Sequence, residues 1–233
     1  MPQTRTVIVC LPAGEPADWF SASEILDWHH LPTGTPHPYY PVRHARLLGW
    51  LTRWSQRHLV AAVRRFGAVT RAAGGRRSRL DLTKAAATAN AQAAARWRTW
   101  NQVVAHSPQA KPWAEFHAQH LANPTKISMD EAVRRFEAQP RVLAMLAYNL
   151  HPISRTCQLD PYELNAYQAG QATYTALHWQ KALAGDAMIT ADGKLLQPAT
   201  RSLADQLRYL AQAGAHLRTL PRRHHLLALT IPT

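Results

Sequence analysis

Between Trp28 and Leu80 the chain carries ten arginines and no aspartate or glutamate, with Asp27 and Asp81 marking the two edges. A guanidinium is a planar fork that grips a phosphate or a guanine edge with two parallel bonds. An acid-free run forgoes the local ion pairing of an ordinary mixed-charge surface, so the chemistry it offers is recognition of a polyanion. Wound at about 100° per residue, 42–67 forms an amphipathic helix. Arg43, Arg46, Arg53, Arg57 and Arg64 then fall within an arc of about 80°. Trp50 lies inside that arc. Its ring is either a platform for a nucleobase or, as is commoner for Trp, a core residue curled under the helix. The following stretch, AVTRAAGGRRSRL, adds Arg71, Arg76, Arg77 and Arg79 around Gly74-Gly75 and reads as a flexible basic loop. If about five of these arginines each meet one phosphate, the salt slope of binding is about −3.5 to −4.5. The segment 206–233 adds Arg208, Arg218, Arg222 and Arg223, again with no acid.

The other chemically capable residues give weaker patterns. Thirteen histidines are present. His29 and His30 are adjacent and diverge on a helix. His117 and His120 share a helical face near Glu115, but a metal needs a third ligand and no HExxH spacing supplies one. They read as ordinary surface or boundary histidines, and no metal or other cofactor is expected. His224 and His225 follow Arg222-Arg223. They suit either acid–base cleavage of RNA, since His titrates near neutral pH, or simple membership of the basic patch, which is the favoured reading. GxxxxGK[ST], GxGxxG and GxSxG are all absent, which disfavours the common nucleotide-hydrolase, Rossmann and serine-hydrolase chemistries. Asp160 and Glu163 resemble a catalytic carboxylate pair, but a helix start explains both.

The elements that must position these groups follow from local signals. Thr6–Leu11 is β-branched and apolar, a short buried strand. Ser21 with Glu24 matches a capping box opening a helix to about His30. Four prolines and a glycine make 31–41 a loop. Asp81 caps a long alanine-rich helix to about His106. Pro112 starts a helix to about Leu121, and Ser128 with Glu131 caps 129–138. The nearly all-apolar 141–150 is expected at the centre of the core. Asp160-Pro161 opens a helix to Gly185, and 187–196 folds as a hairpin at Asp192-Gly193. Ser202–Gly214 is the last helix, and 226–231 is a terminal strand able to pair with the first. A helix-turn-helix over 66–73 and the helix after Asp81 would aim Thr83, Lys84, Thr88, Asn90 and Gln92 at base edges. The connection is long for that motif and the second helix is alanine-rich. Residues 129–150 have similar spacing but offer a groove only Arg141, so they read as core. Tyr162, Tyr167 and Tyr174 read as core or interface, and Cys10 as inert and buried.

Length and composition set the frame. The chain has 233 residues, 27 Lys and Arg against 14 Asp and Glu, a formal charge of +13, and a 46% apolar content typical of a globular protein. Two cysteines cannot build a disulfide framework. No apolar run approaches the length of a membrane span, and about five apolar residues before Pro12 are too few for an export signal, so a cytoplasmic setting without membrane contact is expected. The fold class expected is mainly α with a small β-sheet (α+β), in one domain over 1–233 with a hinge at 71–80. The leading reading is a non-enzymatic nucleic-acid-binding protein contacting the phosphate backbone of DNA or RNA, as a subunit of a nucleoprotein complex with other proteins. The alternatives are a His-dependent nuclease or nucleic-acid-processing enzyme, and a protein–protein adaptor with a basic interface.

Overall fold

The first strand, β1 (Thr4–Leu11), is buried along all of 7–11. A strand that apolar is stable only with neighbours on both edges and cover on both faces. The computed structural model, which describes residues 4–15, 18–43, 58–66 and 68–232, provides both. β10 (His225–Pro232) runs antiparallel to β1 over eight residue pairs, from Thr4 opposite Pro232 to Leu11 opposite His225. β8 (Ala187–Ile189) flanks the other edge in parallel. The full order is β4 (Leu59–Val60), β7 (Gly74–Arg76), β10, β1, β8, β9 (Leu195–Leu196), with β2 (Thr35–Pro36) also on β10. A second sheet contains β3 (Tyr40–Pro41), β6 (Ala68–Ala72) and β5 (Val63–Arg65). The fold is α+β, and the expected pairing of the first and last strands is present.

Contacts divide the described chain into two compact units. One comprises 1–88, 180–200 and 205–233; the other comprises 89–179 and 201–204. In the first, one sheet face packs Val7, Val9, Leu11, Leu227, Leu229 and Ile231 against Ala22 and Leu26 of α1 (Trp19–Trp28). Asp18, not Ser21, caps α1, its carboxylate accepting from the Ser21 N–H at 2.8 Å. Two tyrosine hydroxyls tie β3 and the residue before it to the chain ahead of β8: Tyr39 donates to the Lys181 carbonyl and Tyr40 to that of Leu183, both at 2.7 Å.

The second unit is helical: the body of α2 (Leu82–Val103), then α3 (Trp113–Ala122), α4 (Met129–Glu137), α5 (Pro140–Leu150), α6 (Leu164–Gln168) and the first part of α7 (Gln171–Ala184). Aromatic stacking fills its core, with Trp100 on Tyr167 and Tyr167 on Tyr174 at centroid distances of 5.1 and 4.3 Å. Arg141 donates to the Ser107 carbonyl and the Gln168 side chain. Ser128 caps α4 as expected. Two boundaries and one burial pattern differ. Gly170, at φ +97°, breaks the helix expected from Asp160 to Gly185 into α6 and α7. α8 (Leu203–Thr219) runs past Gly214 because Tyr209, Ala213 and Leu217 continue one buried stripe. α5 buries Val142 and Met145 but leaves Leu143 and Leu150 exposed, so it is not wholly interior.

The largest correction concerns 42–80. Residues 44–57 lie outside the described part, and with them Arg46, Trp50, Arg53 and Arg57. The described ends of the expected helix are extended: Val42 bridges Leu80, and 59–60 and 63–65 are strands. Ala61 and Phe66, at φ 45° and 50°, are incompatible with helix. Val60 and Val63 are β-branched, and pairing partners on β7 and β6 outweigh the helical pattern of 42–67. Likewise 68–80, expected as a flexible loop, is two strands and a 3₁₀ turn (Arg77–Arg79). The helix-turn-helix reading of 66–73 falls with this.

Candidate nucleic-acid interface

The strand content of 68–80 decides where the arginines go. Gly74 lies against β10 so closely that a Cβ there would sit 2.2 Å from the Leu226 carbonyl oxygen and 2.8 Å from the Leu227 Cα. Only glycine permits that approach. Pairing runs from Gly74 opposite Leu227 to Arg76 opposite His225. It extends beyond the sheet: the Arg77 N–H donates to the His224 carbonyl at 2.8 Å and the Ser78 N–H to the Arg222 carbonyl at 3.1 Å. On the other side, the Arg43 N–H donates to the Arg79 carbonyl at 2.9 Å and the Asp81 N–H to the Pro41 carbonyl at 2.8 Å. Three chain segments, 41–43, 76–81 and 222–225, are thereby held side by side.

This ribbon brings Arg43, Arg76, Arg77 and Arg79 together with Arg222 and Arg223. Arg43, Arg79, Arg222 and Arg223 are exposed; Arg76 and Arg77 are half-buried. Among the described residues none of the six forms an ion pair, unlike Lys111, Arg134, Arg135, Lys181 and Arg208, each of which meets a carboxylate. The Nε atoms of Arg76 and Arg77 are buried without a hydrogen-bond partner. A buried donor left unmade costs about 1–3 kcal/mol. Asp81, the nearest acid in sequence, is engaged in capping α2, accepting from the Lys84 N–H at 3.0 Å.

The remaining sequence candidates lie elsewhere. Arg71 donates through Nε to the Pro38 carbonyl at 3.1 Å and through Nη2 to the Tyr39 carbonyl at 2.7 Å, stapling β6 to the loop before β3. Arg64 is exposed on β5, opposite Val69. Next to it, Arg65 stacks over Phe66 at 5.3 Å. Arg222 and Arg223 were recognisable as basic but lie 143 or more residues from Arg79 in sequence; β7–β10 pairing and the Arg77 and Ser78 N–H bonds beyond it join them to the ribbon.

The histidines singled out in the sequence fall in different surroundings. His225 is a core residue, 4% exposed. Burial holds its imidazole below the ordinary range; the Pro12 carbonyl opposes this, while Arg76, His58 and His224 add to it. His216 is lowered too, by burial first, against the pull of Asp192. His120 shares a hydrogen bond with the Ile127 carbonyl at 2.8 Å, and its ring centroid is 6.5 Å from that of His117. Among the described residues no group of three or more His, Cys, Asp or Glu is placed to hold a metal ion. No helix among them is long and apolar enough to cross a membrane. No protein-family model, curated protein or solved structure matches the chain.

Proposed function

We propose that this protein binds nucleic acid through the phosphate backbone, using the arginine ribbon formed by segments 41–43, 76–81 and 222–225. The observation that carries this reading is the backbone pairing that sets six arginines from three distant stretches of sequence side by side, three of them lining one cleft, with no carboxylate paired to any of the six among the described residues. Unneutralised like charges repel, so assembling them works against folding unless a polyanion offsets the repulsion. Six cations each displacing one counterion give a salt slope of about −4 on single strands and about −5 on duplex. Affinity then falls by about 300- to 2000-fold between 50 and 200 mM salt. Fluorescence anisotropy with duplex DNA, single-stranded DNA and RNA across that range tests it. A dissociation constant that stays level with salt for all three overturns the proposal, and the ranking of the three identifies the preferred strand type.

A second reading, an adaptor whose basic ribbon meets an acidic protein, draws on Phe20 and Trp28 of α1, which are 73% and 80% exposed. Exposed aromatics of that size are typical of protein interfaces. A stoichiometric complex that survives nuclease treatment would favour this reading over nucleic-acid binding.

A further inference from the structure

Within the ribbon, Arg43, Arg77 and Arg222 line one cleft of about 150 Å³, with Ser78 and Thr83 on its wall. We infer that this cleft is a seat for a terminal phosphomonoester, so that the protein recognises a phosphorylated end of a nucleic acid strand as well as its backbone. The inference rests on the nucleic-acid reading above and goes beyond it.

Three features distinguish the cleft from the rest of the ribbon. It concentrates three guanidiniums on one small volume, whereas a phosphodiester carries one negative charge and calls for one cation. A phosphomonoester carries about −1.5 to −2 at neutral pH and presents three strong acceptor oxygens. Three planar forks, together with two hydroxyl donors, match that acceptor set better than they match a diester with two free oxygens. The leucine lining, Leu80 fully buried and Leu82 half-buried, gives the cleft an apolar wall that strengthens each charged hydrogen bond. Finally, Arg77, which lines the cleft, has no hydrogen-bond partner for its buried Nε among the described residues.

The test compares oligonucleotides of one sequence bearing a 5′-phosphate, a 3′-phosphate or hydroxyls at both ends, by anisotropy competition at fixed salt. One phosphorylated end is expected to bind about tenfold tighter than the hydroxyl-ended strand. Arg222→Gln, and separately Arg43→Gln should the first variant fold poorly, are expected to erase that difference, while hydroxyl-ended strands bind more weakly than to the parent, with a salt slope smaller by about 1. Equal affinity for all three strands, or a preference that survives both substitutions, overturns the inference and leaves backbone binding standing. No measurable binding to any strand at low salt overturns both.

Discussion

Replacing Gly74 with alanine tests whether β7–β10 pairing builds the ribbon. The added Cβ would stand 2.2 Å from the Leu226 carbonyl oxygen, so the strands must part by about 1 Å to reach an ordinary carbon–oxygen contact of about 3.3 Å. Three flanking hydrogen bonds depend on the present spacing: Ala228 N–H to the Ala73 carbonyl, Arg77 N–H to the His224 carbonyl, and Ser78 N–H to the Arg222 carbonyl, at 2.8, 2.8 and 3.1 Å. At about 1 kcal/mol each, their loss destabilises the chain by about 3 kcal/mol, a fall in Tm of about 6–12 °C at this length. Gly214→Ala is the matched control. It sits inside α8, where the nearest atom to a new Cβ is Arg218 Nη1 at 3.7 Å, and should raise stability by about 0.5–1 kcal/mol. Thermal unfolding followed by circular dichroism measures both. A Gly74→Ala protein melting within about 2 °C of the parent would refute the close approach of these strands, and with it the ribbon.

Acidification should destabilise the fold. His225 and His216 have folded-state pKa values held below the ordinary 6.5, so the unfolded chain binds more protons below that pH. Their contribution is fully present above pH 6.5 and is lost as pH falls towards the folded values. Urea midpoints measured from pH 7.5 to 5 should decline, and His225→Phe should flatten the decline; a pH-independent midpoint contradicts this. Arg71→Ala removes both bonds to the 38–39 carbonyls and should cost about 1 kcal/mol by urea unfolding, little more because the site is exposed. An unchanged urea midpoint would show that this staple adds nothing.

Signals that act over a few residues were readable from the chain. Asp81, Ser128 and Asp160 each accept a backbone N–H two or three residues ahead, as helix starts require. Gly193, at φ +80°, makes the hairpin between β8 and β9. The apolar runs at 6–11 and 226–231 are strands because such sequences cannot stay in water, and they pair with each other. What escaped was set by distant partners. The Gly74-Gly75 pair looks like a hinge in sequence, yet its missing side chains serve close packing against β10 and β4. The arginines around it were visible as a cluster, but the assignment of 68–80 to a loop hid that Arg222 and Arg223 would lie beside them.

The central claim, that these guanidiniums act together on one polyanion, is tested most directly by the salt slope of a triple variant. Arg43→Gln, Arg77→Gln and Arg222→Gln in one chain remove three of six cations. The slope of log K against log salt should shrink by about 2 on single strands and about 3 on duplex. An unaltered slope in a folded triple variant would contradict the account.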